Sequence, residues 1–313
     1  MTAMERETVA ARGVRDLTGI RVAYRSFAGY RTRVLEAGPR GRQATRLVLL
    51  HGYCDSADSW RPVLAGLAAV NVSVLAVDLP GFGEADPLRS GALLPQFDTF
   101  VNALLKAQWP YRGMVLAGHS LGATMSLRIA RSPSRPISGV VAVAPPGFVD
   151  SWLVRTIGRY PLPLRLATSL PLPVPGFVVR GVAAQVIPRL LYADPVGAEA
   201  EQIRRLASLF PDYRSATGRL RQSRQLWQEI DDAYQNLERV NAPSLLVAGG
   251  KDRIVPLGAS RRLHALMPHS RLLIRSEWGH CPQLDDPTGL TETLISFTAE
   301  QTGRQGSGHD RTG

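Results

Sequence analysis

The sequence predicts an α/β protein: a mostly parallel sheet with helices on both faces and a helical cap inserted into it. Three observations predict this class. Short apolar, β-branched runs bounded by Gly, Pro and Asp alternate with segments of helix length. Those runs are almost continuously apolar, which suits strands covered on both faces rather than half-exposed ones. The alternation then stops between Ala144 and Ser244, where prolines cluster at Pro161, Pro163, Pro171, Pro173 and Pro175 and only helical patterns follow.

Taken in order, Gly19 to Phe27 and Tyr30 to Ala37 read as a pair of half-exposed strands joined by a short turn. Arg46 to Leu50, Val72 to Val77, Met114 to Ala117, Val140 to Ala144, Ser244 to Ala248 and Arg271 to Arg275 read as buried strands. Helices are predicted over Trp60 to Ala69, Phe97 to Gln108, Leu121 to Arg131, Gly258 to Met267 and Thr288 to Thr298. In the insertion they are predicted over Phe177 to Leu191 (interrupted by Pro188), Gly197 to Leu209 and Ser215 to Glu229. The expected organisation is an N-terminal segment (1–18), a core (19–147 and 241–300), a cap (148–240) and a disordered tail (301–313). From Gly303 to Gly313 the tail has no core-forming side chain.

With 313 residues, 44% of them hydrophobic, the chain has enough apolar surface for one large core. No apolar run reaches membrane-helix length. The start of the chain mixes Glu5, Arg6, Glu7 and Arg12 and does not read as a signal peptide. Cys54 and Cys281 make no disulfide framework, so a reduced, cytoplasmic protein is expected. The net charge is +11, yet only Lys106 and Lys251 are lysines. Arginine is spread along the chain without a compact basic run interleaved with aromatics, so nucleic-acid binding is not expected.

The chemistry centres on Gly118-His119-Ser120-Leu121-Gly122, placed directly after a strand and before a helix. This is the strand–turn–helix setting of a nucleophile elbow. The turn is sharp, and a side chain at either flanking glycine would strike backbone. Ser120 then stands at a helix N-terminus, where free N–H groups and the helix dipole favour developing negative charge. A serine hydroxyl needs a neighbouring base. His280, after the last predicted strand and just behind Gly279, is the candidate. His51 and His119 belong to other motif elements, His264 and His269 sit in or beside a surface helix, and His309 lies in the tail. Asp252, after the strand Ser244 to Ala248, is the acid expected to orient the base, with Asp150 as its rival. His51-Gly52-Tyr53 ends the first buried strand. It supplies the second donor of an oxyanion hole formed by the Tyr53 and Leu121 amides, with Gly52 allowing backbone to approach substrate. Asp78, in Asp78-Leu79-Pro80-Gly81, reads as a turn residue that satisfies backbone donors.

These motifs, in order LVLLHGYCDSADSW, AVDLPGFGEAD, VLAGHSLGA, LLVAGGKDRIVP and EWGHCPQLDDP, resemble the α/β-hydrolase superfamily, in the branch with a cap inserted after strand six. The resemblance spans about residues 19–300 outside the cap. It implies an eight-stranded sheet, an active site between sheet and cap, and no cofactor or metal. Relatives in the superfamily that use an elbow aspartate, the haloalkane dehalogenases and epoxide hydrolases, differ from this chain, which has Ser120. The cap matches no subfamily, so no substrate carries over.

The function expected is hydrolysis of an ester, thioester or lactone bond of a small apolar acyl substrate through an acyl-enzyme. Carbon–carbon bond hydrolysis, acyl transfer to another acceptor, and a non-enzymatic ligand receptor are the alternatives on the same residues. Between Ser151 and Arg224 there are eleven arginines, no lysine and four acids. That charge suits either a basic rim for an anionic group on the substrate or a solvated outer face. The segment Trp152 to Val179 could touch a membrane surface, but its prolines prevent one long amphipathic helix, so membrane contact is not the expected role.

Overall fold

The computed structural model describes residues 14–15, 19–39, 45–108, 111, 113–132, 137–147, 170 and 173–307. Asp150, His309, Pro161, Pro163, Pro171 and most of the stretch from Trp152 to Val179 lie outside the described residues.

Among the described residues nine strands form one sheet: β1 (Val14–Arg15), β2 (Arg21–Phe27), β3 (Tyr30–Ala37), β4 (Thr45–Leu50), β5 (Ser73–Val77), β6 (Gly113–His119), β7 (Ile137–Val143), β8 (Ser244–Gly249) and β9 (Ser270–Arg275). Their order across the sheet is β1-β2-β3-β5-β4-β6-β7-β8-β9. The pairings from β1 to β3 and from β3 to β5 are antiparallel, and the rest are parallel. The eight expected strands are β2 to β9. The two-residue β1 adds an edge strand inside the segment 1–18.

The unbroken apolar runs follow from two cores, one on each face of the sheet. Side chains alternate across a strand. Val48 and Leu50 of β4 therefore enter one core and Leu47 and Leu49 the other, and β5, β6, β7 and β8 divide in the same way. On the first face lie α2 (Leu93–Ala107) and α3 (Leu121–Ala130), with Phe97, Phe100, Val101 and Met125 in contact with the sheet. On the second lie α1 (Arg61–Ala69) and the last helix, which bury Val63, Leu64, Leu67, Leu290, Leu294 and Phe297.

The insertion falls between β7 and β8, after the sixth of the eight main strands. It contains α4 (Gly176–Leu191), α5 (Ala200–Ser208) and α6 (Tyr213–Ala233). The core resumes with α7 (Leu257–Ala265), the short α8 (Pro282–Asp285) and α9 (Pro287–Ser307). Two expectations are corrected. Pro188 does not interrupt α4: it lies inside the last turn, its ring is buried, and its carbonyl accepts the Tyr192 N–H at 3.0 Å. Of the expected tail 301–313, residues 301–307 belong to α9. Leu290, Leu294, Phe297 and Gln301 anchor successive turns of that helix, and an established helix extends at the cost of one residue's order per hydrogen bond gained.

β4 pairs with β5 on one side and β6 on the other, so the chain departs in opposite directions from this point. In open parallel sheets the crevice at the carboxyl ends of such strands is where ligands bind. His51, Ser120, Asp252 and His280 all follow strand carboxyl ends, those of β4, β6, β8 and β9.

Candidate active site

Ser120 occupies the single residue between β6 and α3, with φ 51° and ψ −113°. Such backbone costs about 1–3 kcal/mol and persists only where the surroundings impose it. Here the Ser120 N–H donates to the Val143 carbonyl at 2.9 Å, and its carbonyl accepts from Thr124 at 3.1 Å. The flanking glycines are required by close approach. A Cβ at Gly118 would lie 2.1 Å from the Gly122 carbonyl carbon, and one at Gly122 would lie 2.3 Å from the Leu50 oxygen.

His280 and Asp252 meet as expected. The His280 Nδ1 lies 2.9 Å from the Asp252 Oδ2, and both side chains are almost fully buried. The contact fixes the tautomer: Nδ1 donates, and Nε2 is left to accept a proton. The other Asp252 oxygen accepts the N–H groups of Ile254 and Val255, each at 2.8 Å. Burial pushes the Asp252 carboxyl up, but His280 and these two amides outweigh it and hold the group below its ordinary range. Ser120 and His280 line one cavity. The Ser120 hydroxyl itself makes no hydrogen bond among the described residues. Catalytic hydrogen bonds often tighten only when substrate binds.

The amides of Tyr53 and Leu121, expected to hold an oxyanion, have no hydrogen-bond partner among the described residues, and both residues line the cavity. His51 is buried behind them. Its Nδ1 donates to the Gly52 carbonyl at 2.7 Å, and its Nε2 accepts from the Leu79 N–H at 2.9 Å, tying the end of β4 to the end of β5. Burial holds its pKa down, so the ring is neutral. Gly52 is also required by a close approach within the protein. A Cβ there would lie 2.9 Å from His119 Nδ1 and 3.3 Å from Ser120 Cβ, so the glycine makes room for the elbow. His119 is buried against the base: its Nε2 donates to the His280 carbonyl at 2.8 Å, and the two ring centroids are 4.8 Å apart. Asp78 is the turn residue the sequence suggested. It accepts from Ala57 at 2.7 Å and Glu84 at 2.9 Å, and it pairs with Arg33 at 3.0 Å.

Several residues that hold the site together were not foreseen. The Leu191 carbonyl, at the end of α4, accepts the N–H groups of both His280 and Cys281, at 3.0 and 3.1 Å. Asp285 accepts from Gly279 at 2.7 Å and from Ala193 at 3.0 Å, and burial pushes its carboxyl pKa up. Asp55, beside the Tyr53 loop, pairs with Arg205 of α5 at 3.1 Å. The Tyr53 hydroxyl donates to the Arg219 carbonyl of α6 at 2.5 Å. An aspartate pair just before a proline looks like an ordinary turn in a sequence, which is why Asp285 carries no distinctive signal.

The cavity between sheet and cap has a volume of about 660 Å³. Val179, Ala183, Ile187 and Leu190 of α4 form one wall, and Leu220, Leu226, Trp227 and Ile230 of α6 another, with Ser120 at the base. Among the described cap arginines, Arg219 is the one on this wall. Its guanidinium donates to the Gly81 carbonyl at 2.8 Å and lies over the Phe82 ring, while the acid Asp55 shares the cavity lining. Arg180, Arg189, Arg204, Arg214 and Arg221 stand on the exposed face. Of the two readings of the cap's charge, the described arginines favour the solvated outer face over a basic rim. Cys54 and Cys281 are free thiols. Among the described residues no group of three His, Cys, Asp or Glu side chains is arranged to hold a metal ion, and no helix is long and apolar enough to cross a membrane.

Comparison with known proteins agrees with this architecture. The chain is 28% identical over 260 residues to an uncharacterized hydrolase of Bacillus subtilis (strain 168), covering 82% of this chain and 90% of that one. It is 29% identical over 269 residues to a pimeloyl-[acyl-carrier protein] methyl ester esterase of Shewanella woodyi, covering 82% and 96%. Among solved structures it is similar to a membrane phospholipase A described as a bacterial virulence factor. That match has a TM-score of 0.74 and 22% identity, covering 92% of this chain and 88% of that one. The family model for the alpha/beta hydrolase fold matches residues 45–287, the span that contains the elbow, the His280–Asp252 pair and the cap. That match covers more than half of the chain, and the chain belongs to the α/β-hydrolase fold family.

Proposed function

We propose that the protein is a serine hydrolase that cleaves ester-like bonds of apolar acyl substrates through an acyl-enzyme. One observation carries the reading. A strained serine at a helix N-terminus shares an apolar cavity with a histidine whose far nitrogen is held by a buried aspartate.

The reaction follows from the roles of the named groups. The Ser120 Oγ attacks the acyl carbonyl carbon while the His280 Nε2 takes the hydroxyl proton. The carbonyl oxygen becomes an oxyanion facing the Tyr53 and Leu121 amides, with the positive end of α3 behind the latter. Asp252 stabilises the imidazolium formed at this step. His280 then returns the proton to the leaving alkoxide or thiolate, and the acyl group stays on Ser120. Water then attacks the acyl carbon while His280 takes its proton, and His280 returns that proton to the Ser120 Oγ as the bond to the acyl group breaks and the acid leaves. Aliphatic walls bind the acyl chain by apolar burial, at roughly 25 cal/mol for each Å² removed from water. The similarity to a methyl ester esterase supports the same bond class.

A fluorophosphonate probe, followed by peptide mapping, should label Ser120, and Ser120→Ala should lose both labelling and hydrolysis of p-nitrophenyl acyl esters. Full esterase activity in Ser120→Ala would overturn the assignment.

A further inference from the structure

We propose that two cap helices set the oxyanion hole, with the Tyr53 hydroxyl and the Arg205 guanidinium as positioning groups for the Tyr53 amide. The inference rests on the esterase reading above, in which that amide faces the developing oxyanion.

The loop after β4 presents this amide without main-chain support. Among the described residues, the backbone N–H and carbonyl groups of Tyr53, Cys54 and Asp55 make no hydrogen bond. Cys54 is in the left-handed region, with φ 51°. In a residue other than glycine such backbone is strained and persists only where the surroundings impose it. The direction of the Tyr53 N–H is therefore set by what the neighbouring side chains grip.

Those side chains reach the cap on both sides of Cys54. The Tyr53 hydroxyl donates to the Arg219 carbonyl of α6 at 2.5 Å. Its ring meets Phe82 edge-on, with centroids 5.3 Å apart, and the Arg219 guanidinium lies 4.9 Å over the same Phe82 ring. Arg219 also donates to the Gly81 carbonyl at 2.8 Å, so the residue that accepts from Tyr53 is itself tied to the core. On the other side, the Asp55 Oδ1 accepts the Ser56 N–H at 2.8 Å and the Arg205 Nη1 of α5 at 3.1 Å. The same Arg205 nitrogen donates to the Ser56 Oγ at 3.1 Å, and the Arg205 Nε donates to Gln202 at 2.9 Å, which orients the guanidinium. Two cap helices thus hold the two flanks of one strained residue. An oxyanion donor acts on charge that exists only in the transition state, so a slack loop lowers kcat and leaves ground-state binding alone.

Removing an oxyanion donor costs about 10²–10³ in rate, and loosening one should cost roughly ten- to thirty-fold. Tyr53→Phe, which keeps the ring and the amide, and separately Arg205→Gln should each lower kcat for a p-nitrophenyl acyl ester by that factor, with KM within about two-fold. Counting kcat per Ser120 site titrated by a fluorophosphonate keeps partial misfolding out of the comparison. Affinity for an alkyl trifluoromethyl ketone should fall with kcat. The Ser120 Oγ adds to the ketone carbonyl carbon, His280 takes the hydroxyl proton, and the ketone oxygen becomes the oxyanion. The matching secondary alcohol forms no oxyanion and should bind both variants within about two-fold of the parent. Glu229→Ala is the control. Its carboxylate joins α6 to the Leu93 and Leu94 N–H groups at the start of α2, at 2.9 and 2.8 Å. It lies about 15 Å along the helix from Arg219, so its loss frees the cap without touching the loop and should leave kcat within about two-fold. Unchanged kcat and ketone affinity in both variants would overturn the proposal. So would an equal loss of kcat in Glu229→Ala, which would be general looseness of the cap, or a loss of alcohol binding equal to that of the ketone, which would be a change of cavity shape. Hydrolysis by Ser120→Ala at the parent rate would sink the esterase reading and this inference with it. With that variant inactive and the two positioning variants unchanged, this inference falls alone.

Discussion

His119 should make the protein acid-sensitive in a way that one substitution removes. The ring is 2% exposed, its Nε2 donates to the His280 carbonyl, and its Nδ1 has no hydrogen-bond partner among the described residues. A second proton would have to sit on that buried, unpartnered nitrogen. Burial, and then the neighbouring His280, push its pKa down to about 3. In the unfolded chain the same ring titrates near 6.5. The unfolded state therefore binds the proton first, and stability present above pH ~6.5 is lost as the pH falls toward the folded value. At about 1.36 kcal/mol per pH unit, lowering the pH from 7 to 4.5 removes about 2.5 kcal/mol through this one group. His119→Gln retains a donor for the His280 carbonyl but does not titrate in this range. Urea unfolding followed by tryptophan fluorescence at pH 7 and pH 4.5 should show the parent losing about 2.5 kcal/mol more than His119→Gln. Asp252, held below its ordinary range, loses its own contribution only at lower pH, outside this window. Identical losses in the two proteins, or a larger loss in His119→Gln, would refute the reasoning.

Two further outcomes follow from the support of the site. Asp252→Asn should lower kcat by on the order of 10³- to 10⁴-fold, because the amide holds the wrong imidazole tautomer and leaves the imidazolium unpaired. KM should change little, since Asp252 does not line the cavity; a fall of less than ten-fold in kcat would show that another acid serves His280. Asp78→Ala should destabilise the fold by about 3 kcal/mol in the same urea assay, the low end of the cost of breaking a buried pair. Arg33 keeps Asp58 as a partner at 2.7 Å and Glu84 at 3.0 Å, while the Ala57 and Glu84 amides lose their acceptor. A change below about 0.5 kcal/mol would contradict the role given to this turn.

Most of the core was legible because its physics is local. A strand with Leu47 and Leu49 in one core and Val48 and Leu50 in the other must be apolar at every position, and such a run is visible without a structure. The elbow was legible because two glycines are sterically compulsory around Ser120. Other features depend on contacts that residue type does not announce. Pro188 looked like a break, yet a proline near a helix's end removes one hydrogen bond and leaves the earlier turns intact. Gly303 looked like the start of a tail, but the helix arriving there is held by buried side chains in its earlier turns, up to Gln301. The cap arginines left a basic rim and a solvated face both open, because sequence shows how many there are and not which way they face. The structure turns Arg219 onto Gly81 and Phe82 and leaves Arg180, Arg189, Arg204, Arg214 and Arg221 exposed.

The least legible feature governs how the cap and the proposed base work together. His280 is held from three directions: by Asp252 at Nδ1, by His119 at its carbonyl, and by the Leu191 carbonyl at its N–H. The third hold is main chain to main chain, so it imposes no residue type on either side and leaves no trace in the sequence. Asp285 doubles it by accepting from Gly279 next to the base and from Ala193 just beyond α4, across 92 positions of sequence. The end of the helix that walls the cavity is therefore also part of the seat of the base. A cap that merely covered the sheet could be replaced or loosened at the expense of substrate binding alone. In this chain, displacing the end of α4 would also move the His280 backbone. A misplacement of about 1 Å at a reacting group can cost two orders of magnitude in rate. Under the proposed function, the insertion is part of the frame that holds the base as well as a wall of the substrate cavity.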